Sequence, residues 1–131
     1  MMFGTLGTVY LIHFDQSYSG RSHYLGWAPS YLGDSSQHRE DGFKRRIQKH
    51  RENSGAQILG NLNRANIDWK VVMVWTKQTI ETEYLMKSWK KSKQLCPVCS
   101  PDAPPVYGGI PIRKDLTYAK ASLKQNVRTF R

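Results

Sequence analysis

Two tyrosines, Tyr10 and Tyr24, an arginine and a histidine one helical turn apart, Arg46 and His50, and one carboxylate, Glu83, are the side chains best suited to chemistry. A carboxylate such as Glu83 holds a hard divalent ion, Mg2+ or Mn2+, which keeps several of its waters. A guanidinium such as Arg46 offers a planar fork to phosphate oxygens that lysine does not copy. A phenol, with its usual pKa of ~10, serves as a base only where cationic neighbours favour the phenolate. Each residue also has a plainer reading. Strand tyrosines are commonly core or cross-strand pairs, and Arg46 belongs to a basic stretch whose side chains are commonly solvated. Glu83 and Lys87 are spaced as an i,i+4 ion pair, and His50 is suited to flanking a core. Cys96-Pro-Val-Cys99 has the spacing of half a zinc site. A structural zinc needs four ligands, so the missing pair would have to be histidines from elsewhere or a partner chain's residues. The preferred reading of Cys96 and Cys99 is a free, reduced pair, with structural Zn2+ the lesser alternative.

The elements that must position these residues follow from periodicity. Residues 7–14 (GTVYLIHF) and 22–27 (SHYLGW) are short β-branched and aromatic runs separated by a loop with Ser19-Gly20, which predicts an antiparallel pair. Counting by twos, Tyr10 faces away from Val9 and Leu11, and Tyr24 away from Leu25, so both phenols share one face if the strands pair. Residues 41–51 read as a helix with Phe43 and Ile47 as its buried stripe, Arg46 and His50 on its flank, and Lys44, Arg45, Lys49 and Arg51 pointing elsewhere. A second helix is expected over 56–65, with Gly60 as a point of interruption. The apolar run 69–75 (WKVVMVW) predicts a central strand covered on both faces. Residues 79–91 then form a helix, acidic at its start and basic at its end, with Leu85, Met86 and Trp89 as its apolar face.

In this order the features resemble the GIY-YIG endonuclease family. Thr8-Val9-Tyr10 stands for the first motif and Tyr24-Leu25-Gly26 for the second. Arg46-Ile-Gln-Lys-His50 with Ser54-Gly55-Ala56 looks like the family's R-x-x-x-H and G-x-A region, and Glu83-Tyr-Leu-Met-Lys87-Ser-Trp89 like its E-x-x-x-K-x-W segment. The resemblance covers about residues 7 to 95. Thr8 and Val9 depart from the Gly and Ile of the first motif, and the Asn that some members carry beyond the acidic helix has no obvious counterpart, since Asn126 is the only Asn after Glu83. What the resemblance implies is an α+β fold, a small three-stranded antiparallel sheet flanked by helices, and metal-dependent hydrolysis of DNA leaving a 5′-phosphate and a 3′-hydroxyl. By the same resemblance, Tyr10 takes or relays a proton, Tyr24 positions it or binds the scissile phosphate, and Arg46 stabilises the pentavalent charge. His50 then donates to phosphate or relays a proton, and Glu83 is the metal ligand for Mg2+ or Mn2+.

Charge agrees with a polyanionic partner. Twenty Lys and Arg against ten Asp and Glu make a net charge of +10, and residues 1–38 hold only Arg21 against Asp15 and Asp34. The later elements therefore carry the basic charge, and Arg45, Lys49, Lys87, Lys90 and Lys91 are the expected DNA contacts, with Lys93 beside them. The chain divides into residues 1–95, the nuclease-like domain, and 96–131, the Cys-Pro-Val-Cys segment and a basic tail with Lys120, Lys124, Arg128 and Arg131. Its length, 131 residues, leaves no room for a separate substrate domain, so a helper protein or a homodimer would supply further DNA contacts. A mean hydropathy of −0.61 and no long apolar run exclude a membrane span, and no secretory signal is recognised at the N-terminus, which favours the cytoplasm. The alternatives are a catalytically inactive nucleic-acid-binding module on the same scaffold and a basic structural or ribosome-associated protein.

Overall fold

A computed structural model describes residues 5–32, 40–102 and 108–112. The basic tail with Lys120, Lys124, Arg128 and Arg131 lies outside the described residues, as do Asn126 and the tail's sparse apolar positions Leu116, Leu123 and Val127. In chain order the elements are β1 (Gly7–Tyr18), β2 (Arg21–Pro29), β3 (Tyr31–Leu32), β4 (Glu40–Asp41), α1 (Gly42–Arg51), α2 (Gln57–Arg64), β5 (Trp69–Gln78), α3 (Ile80–Trp89), α4 (Ser92–Leu95) and β6 (Ile110–Pro111). The class is α+β. No helix among the described residues is long and apolar enough to cross a membrane.

The main sheet has the order β2-β1-β5-β6 with every neighbour antiparallel. The expectation of three strands is therefore corrected to four among the described residues, and β3 and β4 form a separate two-residue ladder. The fourth strand escaped notice because Ile110 and Pro111 are too few to show an alternating pattern. The strands of the hairpin also run further than the apolar runs suggest. Tyr18 pairs with Arg21 across Ser19 and Gly20, whose φ values of 51° and 75° are those of a two-residue type I′ turn.

Both faces of the sheet are covered. Tyr10, Ile12 and Phe14 of β1 pack with Ile47 of α1 and Leu59 and Leu62 of α2 in one core. Val9 and Leu11 pack with Leu25, Met86 of α3, Leu95 and Cys96 in the other. The period-2 reading of β1 is thus realised, and β5 contributes to both cores as a central strand should. Beyond residue 95, Cys96 packs in the second core and β6 pairs with β5, so these described residues lie against the same sheet.

The three main helices lie where periodicity puts them, with differences that packing explains. α2 runs through Gly60 without a break, because Leu59 and Leu62 on either side are fully buried and hold the turn in place. In α3 the buried positions are Glu83 and Met86, one turn apart, which rotates Leu85 out to 55% exposure. Arg51 does not point into solvent: its Nη2 donates to the Trp69 carbonyl at 2.8 Å and its guanidinium lies 3.5 Å from the Trp69 ring centroid.

Candidate active site

Pairing β1 with β2 sets Tyr10 opposite Gly26 and Ile12 opposite Tyr24, so the two phenols are diagonal neighbours on one face, ring centroids 6.3 Å apart. Gly26 makes room for them. A Cβ there would lie 2.5 Å from the Tyr10 hydroxyl oxygen and 2.8 Å from the Tyr24 ring, closer than any side chain tolerates. The glycine of the Tyr24-Leu25-Gly26 motif therefore has a steric reason: the Tyr10 ring occupies the space over it.

α1 brings His50 and Arg46 onto this pair. His50 is fully buried, with its ring centroid 5.9 Å from Tyr10 and 5.6 Å from Tyr24. Its Nδ1 accepts the Ala56 backbone N–H at 3.2 Å, and its Nε2 lies 2.8 Å from the Tyr10 hydroxyl. Burial, reinforced by the charges of Arg46 and Arg51, pushes its pKa down to about 3, so the ring is neutral. A neutral ring accepting at Nδ1 carries its hydrogen on Nε2, so His50 donates to Tyr10. Both nitrogens are thus engaged inside the fold, and His50 has none left for a phosphate. Gly55 matters here too, because a Cβ on it would collide with His50 Nδ1. Asn63 locks the frame: its amide N–H donates to the His50 carbonyl at 2.8 Å, and its side-chain oxygen accepts Trp69 Nε1–H at 2.9 Å.

Arg46 lies beside both phenols. Burial alone would lower its pKa, but the hydrogen bond and charge of Tyr10, followed by Tyr24, carry the balance upward and keep the guanidinium charged. Its Nε is buried and has no hydrogen-bond partner among the described residues. Tyr10 in turn is held well above the usual phenol value by burial and by Tyr24, with Arg46 pulling the other way and Glu83 adding a further rise. The Tyr10 oxygen therefore faces two donors, His50 Nε2–H and the Arg46 guanidinium, neither of which can accept its proton.

Glu83 comes from α3, which packs against the edge strand β2. The residue is 7% exposed, and its carboxylate is near enough to Tyr10 to act on it electrostatically and lies 3.0 Å from Lys87 Nζ. Lys87 Nζ in turn stands 6.0 Å from the Tyr24 ring centroid. The five residues named from sequence, Tyr10, Tyr24, Arg46, His50 and Glu83, thus form one neighbourhood drawn from four elements. Glu83 is an oxygen donor of the kind that a hard divalent ion takes while keeping most of its waters, and here it is paired with Lys87.

A groove of about 740 Å³ runs along the outer side of β2, lined by Arg21, His23, Leu25, Lys87, Lys90 and Lys93 among others. Of the basic residues expected to meet DNA, Lys87 and Lys90 line it, whereas Arg45, Lys49 and Lys91 do not. Arg21 was missed because it is the one basic residue of an otherwise acidic N-terminal stretch.

A second cluster lies apart from the phenols. His13, His23, Cys96 and Cys99 bring one ligand atom each to within 4.8 Å of one another, a group that could hold a metal ion. The cysteines are free, as the preferred sequence reading has it, and the histidines that the zinc alternative requires but leaves unnamed are His13 and His23. The available signal was strand parity: His13 shares a face with Val9 and Leu11, and His23 with Leu25.

No family model, curated protein or solved structure matches this chain.

Proposed function

We propose that the protein is a divalent-metal-dependent endonuclease that hydrolyses DNA phosphodiester bonds at the Tyr10–Glu83 site, leaving a 5′-phosphate and a 3′-hydroxyl as the GIY-YIG resemblance implies. One observation carries this reading: the Tyr10 oxygen accepts from His50 Nε2–H and lies beside Arg46, whose Nε is buried without a hydrogen-bond partner among the described residues, and beside the largely buried Glu83. Such an arrangement has little use in a core, where a phenol donates its own proton to a neighbour, but it suits an oxygen that must bear negative charge.

In this reading Tyr10 gives its proton to solvent, His50 and Arg46 hold the resulting phenolate, and the phenolate accepts a proton from the water that attacks phosphorus as the bond to the 3′-oxygen breaks and that oxygen takes a proton from solvent. Tyr24 orients the phosphate from the same sheet face. Arg46, with an unpaired buried Nε, neutralises charge that develops on the non-bridging oxygens. A Mg2+ or Mn2+ ion on Glu83 would supply the positive charge that the raised Tyr10 pKa lacks and would stabilise the leaving oxygen. Arg21, Lys87, Lys90 and Lys93 follow the DNA backbone along the groove. Two cysteines without a disulfide fit a reducing cytoplasm.

A second reading, a nucleic-acid-binding module without turnover, is favoured by the 3.0 Å Glu83–Lys87 pair, which occupies the carboxylate. The deciding experiment is conversion of supercoiled plasmid to nicked or linear forms with and without added Mg2+, for the natural chain and Glu83→Gln. The nuclease reading expects Mg2+-dependent cleavage reduced roughly 100-fold or more by the substitution. Salt-sensitive DNA binding without cleavage at any Mg2+ concentration establishes the module instead.

A further inference from the structure

The metal-ligating cluster lies where β1, β2 and the chain after α4 meet. His13 and His23 are direct partners across the β1–β2 hairpin, so their side chains stand side by side on the same sheet face. α4 then carries Cys96 onto that face, where it is buried among Leu11, Leu25 and Leu95. The Ser100 N–H donates to the Cys96 carbonyl at 2.8 Å and the Ser100 hydroxyl to the Lys93 carbonyl at 2.9 Å, turning the chain so that Cys99 joins the same point.

The distances discriminate between a metal site and a hydrogen-bonded cluster. His13 Nδ1 lies 3.4 Å from His23 Nε2, 3.5 Å from Cys96 Sγ and 3.7 Å from Cys99 Sγ, and Cys99 Sγ lies 3.5 Å from His23 Nε2. One ring nitrogen has a single hydrogen or a single lone pair, so it cannot satisfy three partners. With Zn–N of about 2.05 Å and Zn–S of about 2.3 Å, a tetrahedron sets N···N at about 3.3 Å and N···S at about 3.6 Å. The observed spacings agree with both values.

We infer that His13, His23, Cys96 and Cys99 bind one Zn2+ as a closed tetrahedral Cys2His2 centre that staples the chain after α4 to the β1–β2 hairpin. Two thiolates and two imidazoles match zinc in softness and geometry, and four protein ligands leave no position for substrate, so the centre is structural. Binding releases the two thiol protons, and two thiolates on one divalent ion make a neutral unit that suits a half-buried place in an apolar core. The staple also serves the neighbouring groove. His23 lines that groove and precedes Tyr24, while Cys96 closes the segment that contains Lys87, Lys90 and Lys93. The inference rests on ligand geometry alone and stands whether or not the chain cleaves DNA.

Elemental analysis of the full chain purified under reducing conditions tests it first, with one zinc per chain expected. The metal-free chain is then titrated with Co2+ without oxygen. One equivalent should bring up the intense visible bands of tetrahedral cobalt together with a thiolate charge-transfer band, and Zn2+ should abolish both. Cys99→Ser should lose the charge-transfer intensity in part and His13→Gln should weaken Co2+ binding. The spectrum of the natural chain decides the matter if these variants fail to fold. Weak octahedral cobalt bands, a Cys96–Cys99 disulfide in the purified chain, or iron in place of zinc would overturn the inference.

Discussion

The Tyr10 hydroxyl oxygen accepts a hydrogen bond from His50 Nε2 at 2.8 Å, across a separation of 40 residues. This contact joins a central strand to the first helix and makes the histidine a positioning residue for the phenol. Its neutrality has a pH consequence. In the folded chain the His50 pKa is lowered to about 3, chiefly by burial, against about 6.5 in the unfolded chain. The groups facing it are Tyr10 from β1, Tyr24 from β2, and Arg46 and Arg51 from its own helix. Because the unfolded state takes up the proton first, stability from this group is complete above about pH 6.5 and is lost as pH falls toward 3, by at most about 1.4 kcal/mol per pH unit. Urea unfolding of the natural chain and of His50→Gln from pH 7 to pH 4 should show a shallower decline in the variant; parallel declines refute the assignment.

Gly26→Ala should cost stability and activity together. The added methyl meets the Tyr10 hydroxyl and the Tyr24 ring, and relieving that overlap must displace at least one phenol. An overpacking cost of about 1–3 kcal/mol is expected from the denaturation midpoint. Full cleavage by a variant of unchanged stability would show that the phenols have room to spare.

Arg46→Lys keeps one positive charge but loses the planar fork and the buried Nε. Cleavage should fall by roughly 100-fold or more, while thermal unfolding changes little and DNA binding at moderate salt is retained. A variant that cleaves at near-natural rates would reduce Arg46 to a structural cation.

The groove along β2 makes a prediction about salt. Lys90→Ala combined with Lys93→Ala removes two of its cations, so the slope of log affinity for duplex DNA against log salt should become shallower by about 0.9 per lysine. Substituting Lys49 and Arg45, which lie outside the groove lining, should alter the slope less. Equal effects from both pairs would mean that the backbone follows another path.

The sequence alone determined the local order of the chain. β-Branched and aromatic runs marked β1, β2 and β5, the i,i+4 spacings marked α1 and α3, and period-2 counting put Tyr10 and Tyr24 on one face, because these patterns depend only on near neighbours along the chain. What tertiary structure alone decided involves partners far apart in sequence. The tautomer of His50 is set by Ala56 and its burial by both strands, so no helical wheel reveals that it donates to Tyr10. β6 exists only because β5 offers an unpaired edge to two residues with no strand signal of their own. His13 and His23 became visible as ligands only when α4 returned Cys96 and Cys99 to their face of the sheet. A metal site is a matter of a few ångströms in space, and spacing along a chain does not encode that distance when the ligands come from different elements.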